Sequence, residues 1–121
     1  MTDADVLALF DEWNDALQTR DPDLMARLYS NDATLVPTVS ARIRSDHEQI
    51  ADYFTHFMAK KPAGTITESN IQTFGHVATN SGLYTFSFGD GSEIEARFTF
   101  VYKKEGERWL IAQHHSSKLP E

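Results

Sequence analysis

A chain of 121 residues is long enough for one domain with a substantial core, and 40% of its residues are hydrophobic. A net charge of −7 argues against nucleic acid and anionic membranes as partners, because both bind basic surfaces. The absence of cysteine excludes disulfides, thiolate nucleophiles and thiolate metal sites. We expect a single cytoplasmic domain over residues 1–121, since the start lacks the basic region of a signal peptide and no apolar run approaches about 20 residues.

Apolar residues at steps of three and four predict a first helix that begins near residue 2 or 3. The stripe consists of Val6, Leu9, Phe10, Trp13, Ala16 and Leu17. Asp21-Pro22 then supplies an N-cap and a first-turn proline for a short second helix. We expect this helix to continue to Tyr29 and to stop at Asn31-Asp32. A short strand over 33–37 and a loop over 38–44 follow.

Ser45 and Glu48 have the spacing of a capping box and predict the start of a third helix, which ends before Lys61-Pro62. Its apolar stripe consists of Ile50, Tyr53, Phe54, Phe57 and Met58. The hydrophobic period then changes to two, which predicts strands over 65–74, 77–88, 93–104 and 108–117. Helices followed by an antiparallel meander indicate the α+β class.

The connection at Asp90-Gly91 determines which side chains share a face of the sheet. A two-residue turn there pairs Tyr84 with Arg97 and places Tyr84 on the same face as Thr99. The other face then carries the aromatic residues Phe98, Phe100 and Tyr102. A sheet with two apolar faces needs two covers, and we expect the helices to cover one face and a second subunit to cover the other.

The order of elements resembles the nuclear transport factor 2-like fold, in which a curved sheet wraps around helices to form a cone. More narrowly, three segments resemble the bacterial relatives of the calcium/calmodulin-dependent protein kinase II association domain. These are WNDALQTRDPDLMARLYSNDATLVPTVS, DYFTHF and ARFTFVYKKEGERWLIAQHHSSKLPE. The resemblance implies three N-terminal helices on a mostly antiparallel sheet, self-association as a homodimer or higher oligomer, and a small-molecule pocket. It implies no kinase activity, because the chain has no Gly-rich phosphate loop and no HRD-like segment.

The chain departs from its relatives at functional positions. The places of the pocket arginines in the animal association domain hold Tyr84, Thr99 and Ser116 here. The chain also resembles the ketosteroid isomerase branch over Tyr29 to Thr34. By that resemblance Pro37 stands where the general base belongs, and Trp13 and Thr99 stand where the oxyanion-hole residues belong. Steroid-type isomerisation is therefore rejected, because a carbon acid cannot be deprotonated without a base.

Arginines offer the charge that an organic anion would need. Arg97 lies in a strand rich in aromatic residues and could bind a carboxylate or phosphate bidentately, or form an ion pair with Glu95. Arg42 and Arg44, in the loop after the first strand, could close over the same anion or remain solvated.

His114 and His115 are adjacent in a strand and must point to opposite faces, so they cannot together bind one metal ion. Either could act as acid or base, or could be satisfied by a backbone carbonyl or a partner subunit. Trp13 and Tyr84 could line the pocket or simply pack in the core. We predict no metal site and no cofactor.

The favoured interpretation is a homo-oligomeric domain that binds a small organic anion. Its candidate ligand-binding residues are Arg97, Trp13, Tyr84, Thr99, His114, His115 and Arg44. The alternative is a cofactor-free isomerase, hydratase or cyclase-like enzyme in which His114 or His115 is the acid or base. A third interpretation is a pure assembly domain with a filled cavity.

Overall fold

The computed structural model describes residues 1–38 and 40–120 and confirms the α+β class. The elements are α1 (Asp3–Thr19), α2 (Pro22–Ala26), β1 (Tyr29–Val36), α3 (His47–Met58), β2 (Ala63–Phe74), β3 (Val77–Ser87), β4 (Glu93–Glu105) and β5 (Arg108–Lys118). Within these described ranges, no helix is both long enough and apolar enough to span a bilayer.

Helix α1 begins where the sequence predicts. The Thr2 hydroxyl accepts a hydrogen bond from the Asp5 backbone N–H, and the Asp5 carboxylate accepts one from the Thr2 backbone N–H. This reciprocal pair satisfies donors that the first turn would otherwise leave free. Arg20 ends the helix in the left-handed conformation, with φ of 60°. The predicted stripe is buried at Val6, Phe10, Trp13, Ala16 and Leu17.

Helix α2 ends at Ala26, and Tyr29 already belongs to β1. The prediction that this helix continues to Tyr29 and stops at Asn31-Asp32 was wrong. Tyr29 pairs with Ile111 of β5 in parallel, and the register is irregular between Tyr29 and Thr34. Tertiary pairing with β5 therefore overrides the turn signal of Asn31-Asp32, as an irregular edge strand tolerates such residues.

Helix α3 is capped by Asp46 and not by Ser45. The Asp46 carboxylate accepts a hydrogen bond of 2.8 Å from the Gln49 backbone N–H. The Ser45 backbone N–H instead donates to the side-chain Oε1 of Gln49, at 2.8 Å. A carboxylate is the better acceptor for a first-turn N–H, which explains why the helix starts one residue later than the capping-box spacing suggests.

The strands form a sheet with the order β1-β5-β4-β3-β2, in which β1 is parallel to β5 and the other pairs are antiparallel. The helices contribute buried aromatic and aliphatic side chains that pack with those of the inner face of the sheet. The largest fully buried side chains are Trp13, Tyr29, Tyr84, Tyr102, Phe54 and Phe100. The core is therefore dominated by aromatic rings.

The register between β3 and β4 differs by one residue from the prediction. Ser87 pairs with Glu93, and Tyr84 pairs with Ala96. The connection is longer than a two-residue turn, since the Phe88 N–H donates to the carbonyl of Ser92 at 2.9 Å. A one-residue shift moves every side chain of a strand to the other face.

The consequence is that the aromatic residues of β3 and β4 all point toward the helices. Those buried are Tyr84, Phe86, Phe98, Phe100 and Tyr102. The expectation of two aromatic faces was therefore wrong. The outer face carries partly exposed Leu83, Thr99 and Val101 beside exposed charged residues.

Candidate functional site

A narrow cavity lies between α1, α3 and the inner face of the sheet. Its walls include the rings of Trp13, Tyr53, Phe54, Phe57, Tyr84, Phe86 and Phe88, and its polar groups come from Thr38, His114 and Ser116. The cavity has a volume of about 20 Å³. This is room for about one water molecule.

Helix α1 and strand β1 meet β5 at the buried end of this site. The indole Nε1–H of Trp13 donates to the hydroxyl of Tyr29 at 3.1 Å. The same hydroxyl lies 2.8 Å from Nδ1 of His114. Alternation along β5 turns His114 inward, where its ring stacks on Phe100 with centroids 4.0 Å apart.

Strand β3 continues the hydrogen-bonded series on the other side of the imidazole. The Tyr84 hydroxyl lies 3.2 Å from Nε2 of His114 and donates to Oγ of Ser116 at 2.5 Å. Thr38 and Ser116 are also hydrogen-bonded through their hydroxyls. Ser116 lies two residues after His114 in β5, so both side chains point into the cavity.

The indole fixes the direction of these hydrogen bonds because it can only donate. If Nδ1 of His114 also donated to Tyr29, the Tyr29 hydroxyl would accept twice and its own buried hydrogen would have no partner among the described residues. Leaving that hydrogen unpaired costs about 1 to 3 kcal/mol. Tyr29 therefore donates to Nδ1, and His114 carries its proton on Nε2 and donates to Tyr84.

Every titratable member of the series is neutral at physiological pH. Burial lowers the pKa of His114 to about 3, with a smaller contribution from the charge of His115. Burial also raises the pKa of Tyr29 and of Tyr84, although hydrogen bonds from Trp13 and with Ser116 partly offset this. The inner end of the cavity is therefore polar but uncharged.

Three candidate residues lie on the outer face of the sheet and not in the cavity. Arg97 and His115 are exposed, and Thr99 is partly exposed and pairs with His115. The structure thus corrects their placement in the pocket. The cause is the register of the β3–β4 connection for Arg97 and Thr99, and alternation along β5 for His115.

Arg44 is the candidate arginine that the fold buries. Leu35 and Arg44 exchange backbone hydrogen bonds of 2.8 and 2.9 Å, which folds the loop back against β1. Nη1 of Arg44 donates to the Asp52 carboxylate at 2.8 Å and to the Gln49 carbonyl at 2.9 Å. The guanidinium lies 5.7 Å from the ring centroid of Tyr53, whereas Arg42 is exposed.

The sequence prediction missed Tyr29 and Thr38 as members of the site. Tyr29 reaches His114 only because β1 pairs with β5 in parallel, a contact across 85 residues of sequence. The alternation of His114 and Ser116 along β5 is the signal that could have indicated a polar inner face. Among residues 1–38 and 40–120, no group of three or more metal-ligating side chains lies together.

These features define an α+β domain with a sheet and helix arrangement known from many solved structures. The model of the calcium/calmodulin dependent protein kinase II association domain matches residues 2–120. The chain belongs to this family. A search of curated proteins gave no match.

One similar solved structure is a protein from Xanthomonas campestris with a provisional description as an association domain of the same family. It is 45% identical, with 97% of this chain and 87% of that chain covered, and the TM-score is 0.93.

More distant structures share the nuclear transport factor 2-like fold. One from Streptomyces avermitilis, provisionally described as a dehydratase of that family, is 14% identical over 96% of this chain and 94% of its own, with a TM-score of 0.84. One from Parabacteroides distasonis, provisionally described as a ketosteroid isomerase, is 19% identical over 94% of this chain and 85% of its own, with a TM-score of 0.76. At these identities the likeness shows the fold alone.

Proposed function

We propose that this protein is a self-associating domain whose cavity binds a small organic acid. The observation that carries the ligand part is the pair of hydroxyls, from Thr38 and Ser116, set in an otherwise aromatic cavity. Mostly apolar walls with a few convergent polar groups are typical of small-molecule sites.

One hydroxyl hydrogen of the Thr38 and Ser116 pair is free to bind a ligand. Ser116 accepts the hydrogen of Tyr84, and one hydroxyl hydrogen forms the bond between Thr38 and Ser116. The other hydroxyl hydrogen has no acceptor among the described residues. The hydrogen bonds that begin at Trp13 all donate in the direction of Ser116. The pair of hydroxyls therefore offers its remaining hydrogen to the oxygen of an incoming ligand. A neutral carbonyl oxygen is the matching group.

The ligand must be small and flat, or the cavity must widen. About 20 Å³ is far below the roughly 300 Å³ of an ordinary ligand pocket. The aromatic walls suit a planar body, which would have to separate rings of the wall such as those of Phe57 and Phe88. None of the residues that line the cavity is a cation, so nothing there compensates the charge of a carboxylate, whereas the buried guanidinium of Arg44 lies against Tyr53 of the cavity wall.

Self-association is supported by membership of an association-domain family. The surface that we propose for it is the outer face of β3, β4 and β5, which carries the partly exposed side chains of Leu83, Thr99, Val101 and Leu110. This face is no longer the aromatic one that the sequence suggested. Its threonine, valine and leucine side chains suit close packing of two sheets.

Native mass spectrometry tests both parts in one experiment. We expect the intact protein to appear as an oligomer, and gentle denaturation to release a small acid. Val101→Glu should yield monomer because it places a charge in the proposed contact, while Glu107→Gln, at the exposed β4–β5 turn, should leave the oligomer intact. A wild-type monomer at micromolar concentration contradicts the assembly part. If the wild-type protein releases no small molecule, the ligand part of the proposal is wrong and self-association alone remains as the function.

A cofactor-free enzyme is the alternative, and the buried imidazole between two tyrosines is the observation that favours it. With a pKa of about 3, His114 is a poor base at neutral pH, so it would have to act as a donor through Tyr84. No acid bonds to either ring nitrogen among the described residues. An isomerase, hydratase or cyclase-like activity that survives in His114→Gln would remove this alternative.

A further inference from the structure

A basic recess lies on the surface where α3 ends, and its features point to an anion. It is lined by Ser40, Arg44, Tyr53, His56, Phe57 and Lys60 and has room for about 300 Å³ of solvent. Three of these side chains are basic, and no carboxylate lines the recess. We propose that this basic recess binds the anionic group, a carboxylate or a tetrahedral oxyanion, of a small ligand.

The number of basic side chains makes this recess unusual for the chain. The protein has 11 Lys and Arg residues and 5 His in 121 residues, so six residues would hold about one basic side chain on average, whereas the recess holds three. The nearby acids face other hollows. Asp52 lines a separate one with Arg42, Arg44, Asp46 and Glu48, and Asp90 lines another with Lys60 and Lys61. Because Nη1 of Arg44 is paired with the Asp52 carboxylate at 2.8 Å, the positive charge that the recess offers comes mainly from Lys60 and from protonated His56, with Arg44 as a fixed donor.

Arg44 is held in place for this role. Its side chain is 9% exposed, and Nη1 is fixed by the Asp52 carboxylate and the Gln49 carbonyl. The guanidinium lies over the ring of Tyr53, which restricts it further. Its Nε is buried without a partner, and Nη2 makes no hydrogen bond among the described residues. A pre-ordered arginine loses little side-chain entropy when it binds an oxyanion.

His56 links anion binding to proton uptake. Its Nδ1 lies 2.9 Å from the carbonyl oxygen of Asp52, which can only accept, so Nδ1 carries a hydrogen. In the neutral ring Nε2 then presents a lone pair, which repels an anion. Protonation turns Nε2 into a donor. The charged side chains that lie around His56 are Asp52, one turn earlier on the same helix, and Arg44 and Lys60, which line the recess with it.

The recess and the inner cavity share one wall. Tyr53 and Phe57 line both, and their rings stack with centroids 5.7 Å apart and planes at 22°. A ligand with its anionic group in the recess therefore places its body against this ring pair. This assignment of the anionic group rests on the proposed small-acid ligand, but the recess opens to solvent independently of the cavity.

Titration of the wild-type protein with sulfate and, separately, with acetate at constant ionic strength tests the inference. Binding is monitored by the NMR signals of the Arg44, His56 and Lys60 side chains. Sulfate keeps its charge between pH 5.5 and pH 8, so any pH dependence belongs to the protein. We expect saturable shifts that strengthen as the pH falls. His56→Gln should remove the pH dependence, and Lys60→Gln should weaken binding about fivefold.

Lys104→Gln is the matched control, because it makes the same charge change on an exposed residue of β4 outside the recess. Equal weakening in Lys104→Gln and Lys60→Gln would show mere screening and overturn the inference, as would the absence of saturable shifts. Binding of acetate but not sulfate would assign the recess to carboxylates, and the reverse to tetrahedral oxyanions. The two proposals can fail independently. The sulfate titration tests anion binding in the recess, whereas ligand release in native mass spectrometry tests occupancy of the cavity in the absence of sulfate.

Discussion

His114 and His115 are consecutive residues with opposite environments. His114 is 3% exposed and its ring lies between the hydroxyls of Tyr29 and Tyr84, whereas His115 is exposed on the outer face opposite Thr99. One strand thus presents the same chemical group to the core and to water. The pair is an internal comparison for the effect of burial on a histidine.

The protein should become less stable as the pH is lowered, because folded His114 resists protonation. Above the ordinary imidazole pKa of about 6.5, the side chain is neutral in the folded and unfolded states. As the pH falls, the unfolded chain binds a proton that folded His114, with a pKa of about 3, excludes. Between pH 7 and pH 5 this contributes a loss of about 2 kcal/mol. Chemical denaturation of wild-type protein and His114→Gln at both pH values measures it.

His115→Gln is the control for this experiment, since His115 is exposed and should leave the slope of stability against pH unchanged. His114→Gln should be less stable than wild-type protein at pH 7 but should lose less stability on acidification. Equal slopes in the wild-type protein and the His114→Gln variant would mean that the imidazole is not held neutral by the fold.

Tyr84→Phe should destabilise the protein by about 2 kcal/mol, because it leaves the Nε2–H of His114 without an acceptor and Ser116 without a donor. Tyr53→Phe removes a hydroxyl that has no hydrogen bond among the described residues, so its cost should stay below about 0.5 kcal/mol. Urea denaturation compares the two. The hydrogen-bonded series has no energetic role if both substitutions have the same effect.

Arg97→Ala should have no effect on ligand retention. The side chain lies on the outer face, away from every group that lines the cavity. Ser116→Ala should lose the ligand, because it removes one of the two hydroxyls proposed to bind it without adding bulk to the cavity. Native mass spectrometry of the two variants makes the comparison. If Arg97→Ala loses the ligand and Ser116→Ala keeps it, Arg97 and not the hydroxyl pair binds the ligand.

Gly82→Ala should destabilise the protein by about 3 kcal/mol. A Cβ at position 82 would lie 2.0 Å from the carbonyl oxygen of Glu68, where β2 has an irregular register. The backbone of β2 must move to relieve that overlap. Gly75→Ala, at an open turn with φ of +63°, should cost only the left-handed strain of about 1 kcal/mol. Thermal or urea unfolding ranks the two, and a smaller effect at Gly82 than at Gly75 contradicts the close approach.

The periodicity of the sequence was sufficient to predict the order of elements but not which residues meet. The stripe from Val6 to Leu17 depends on one helix alone, and its prediction is confirmed. The face of Arg97 depends on the length of the connection between β3 and β4, where Gly89, Asp90 and Gly91 allow several turns. A single residue of error there moved Arg97 and Thr99 from the outer to the inner face of the sheet.

Contacts between distant parts of the chain were outside the reach of local patterns. The burial of Arg44 follows from its backbone pairing with Leu35, and the role of Tyr29 follows from its strand lying beside β5. Neither pairing leaves a periodic signal in the sequence. The hydrogen-bonded site was therefore predictable residue by residue at Trp13, Tyr84 and His114, but not as a connected arrangement.

The hydrogen bond from Trp13 has an optical consequence. The chain has two tryptophans, and Trp13 is buried with its indole N–H committed to Tyr29 while Trp109 is partly exposed. In Trp109→Phe protein the emission spectrum comes from Trp13 alone. A molecule that enters the cavity changes the polarity at that indole and quenches it or shifts its emission. The protein thus contains its own fluorescent reporter of occupancy, and candidate ligands can be screened without a label.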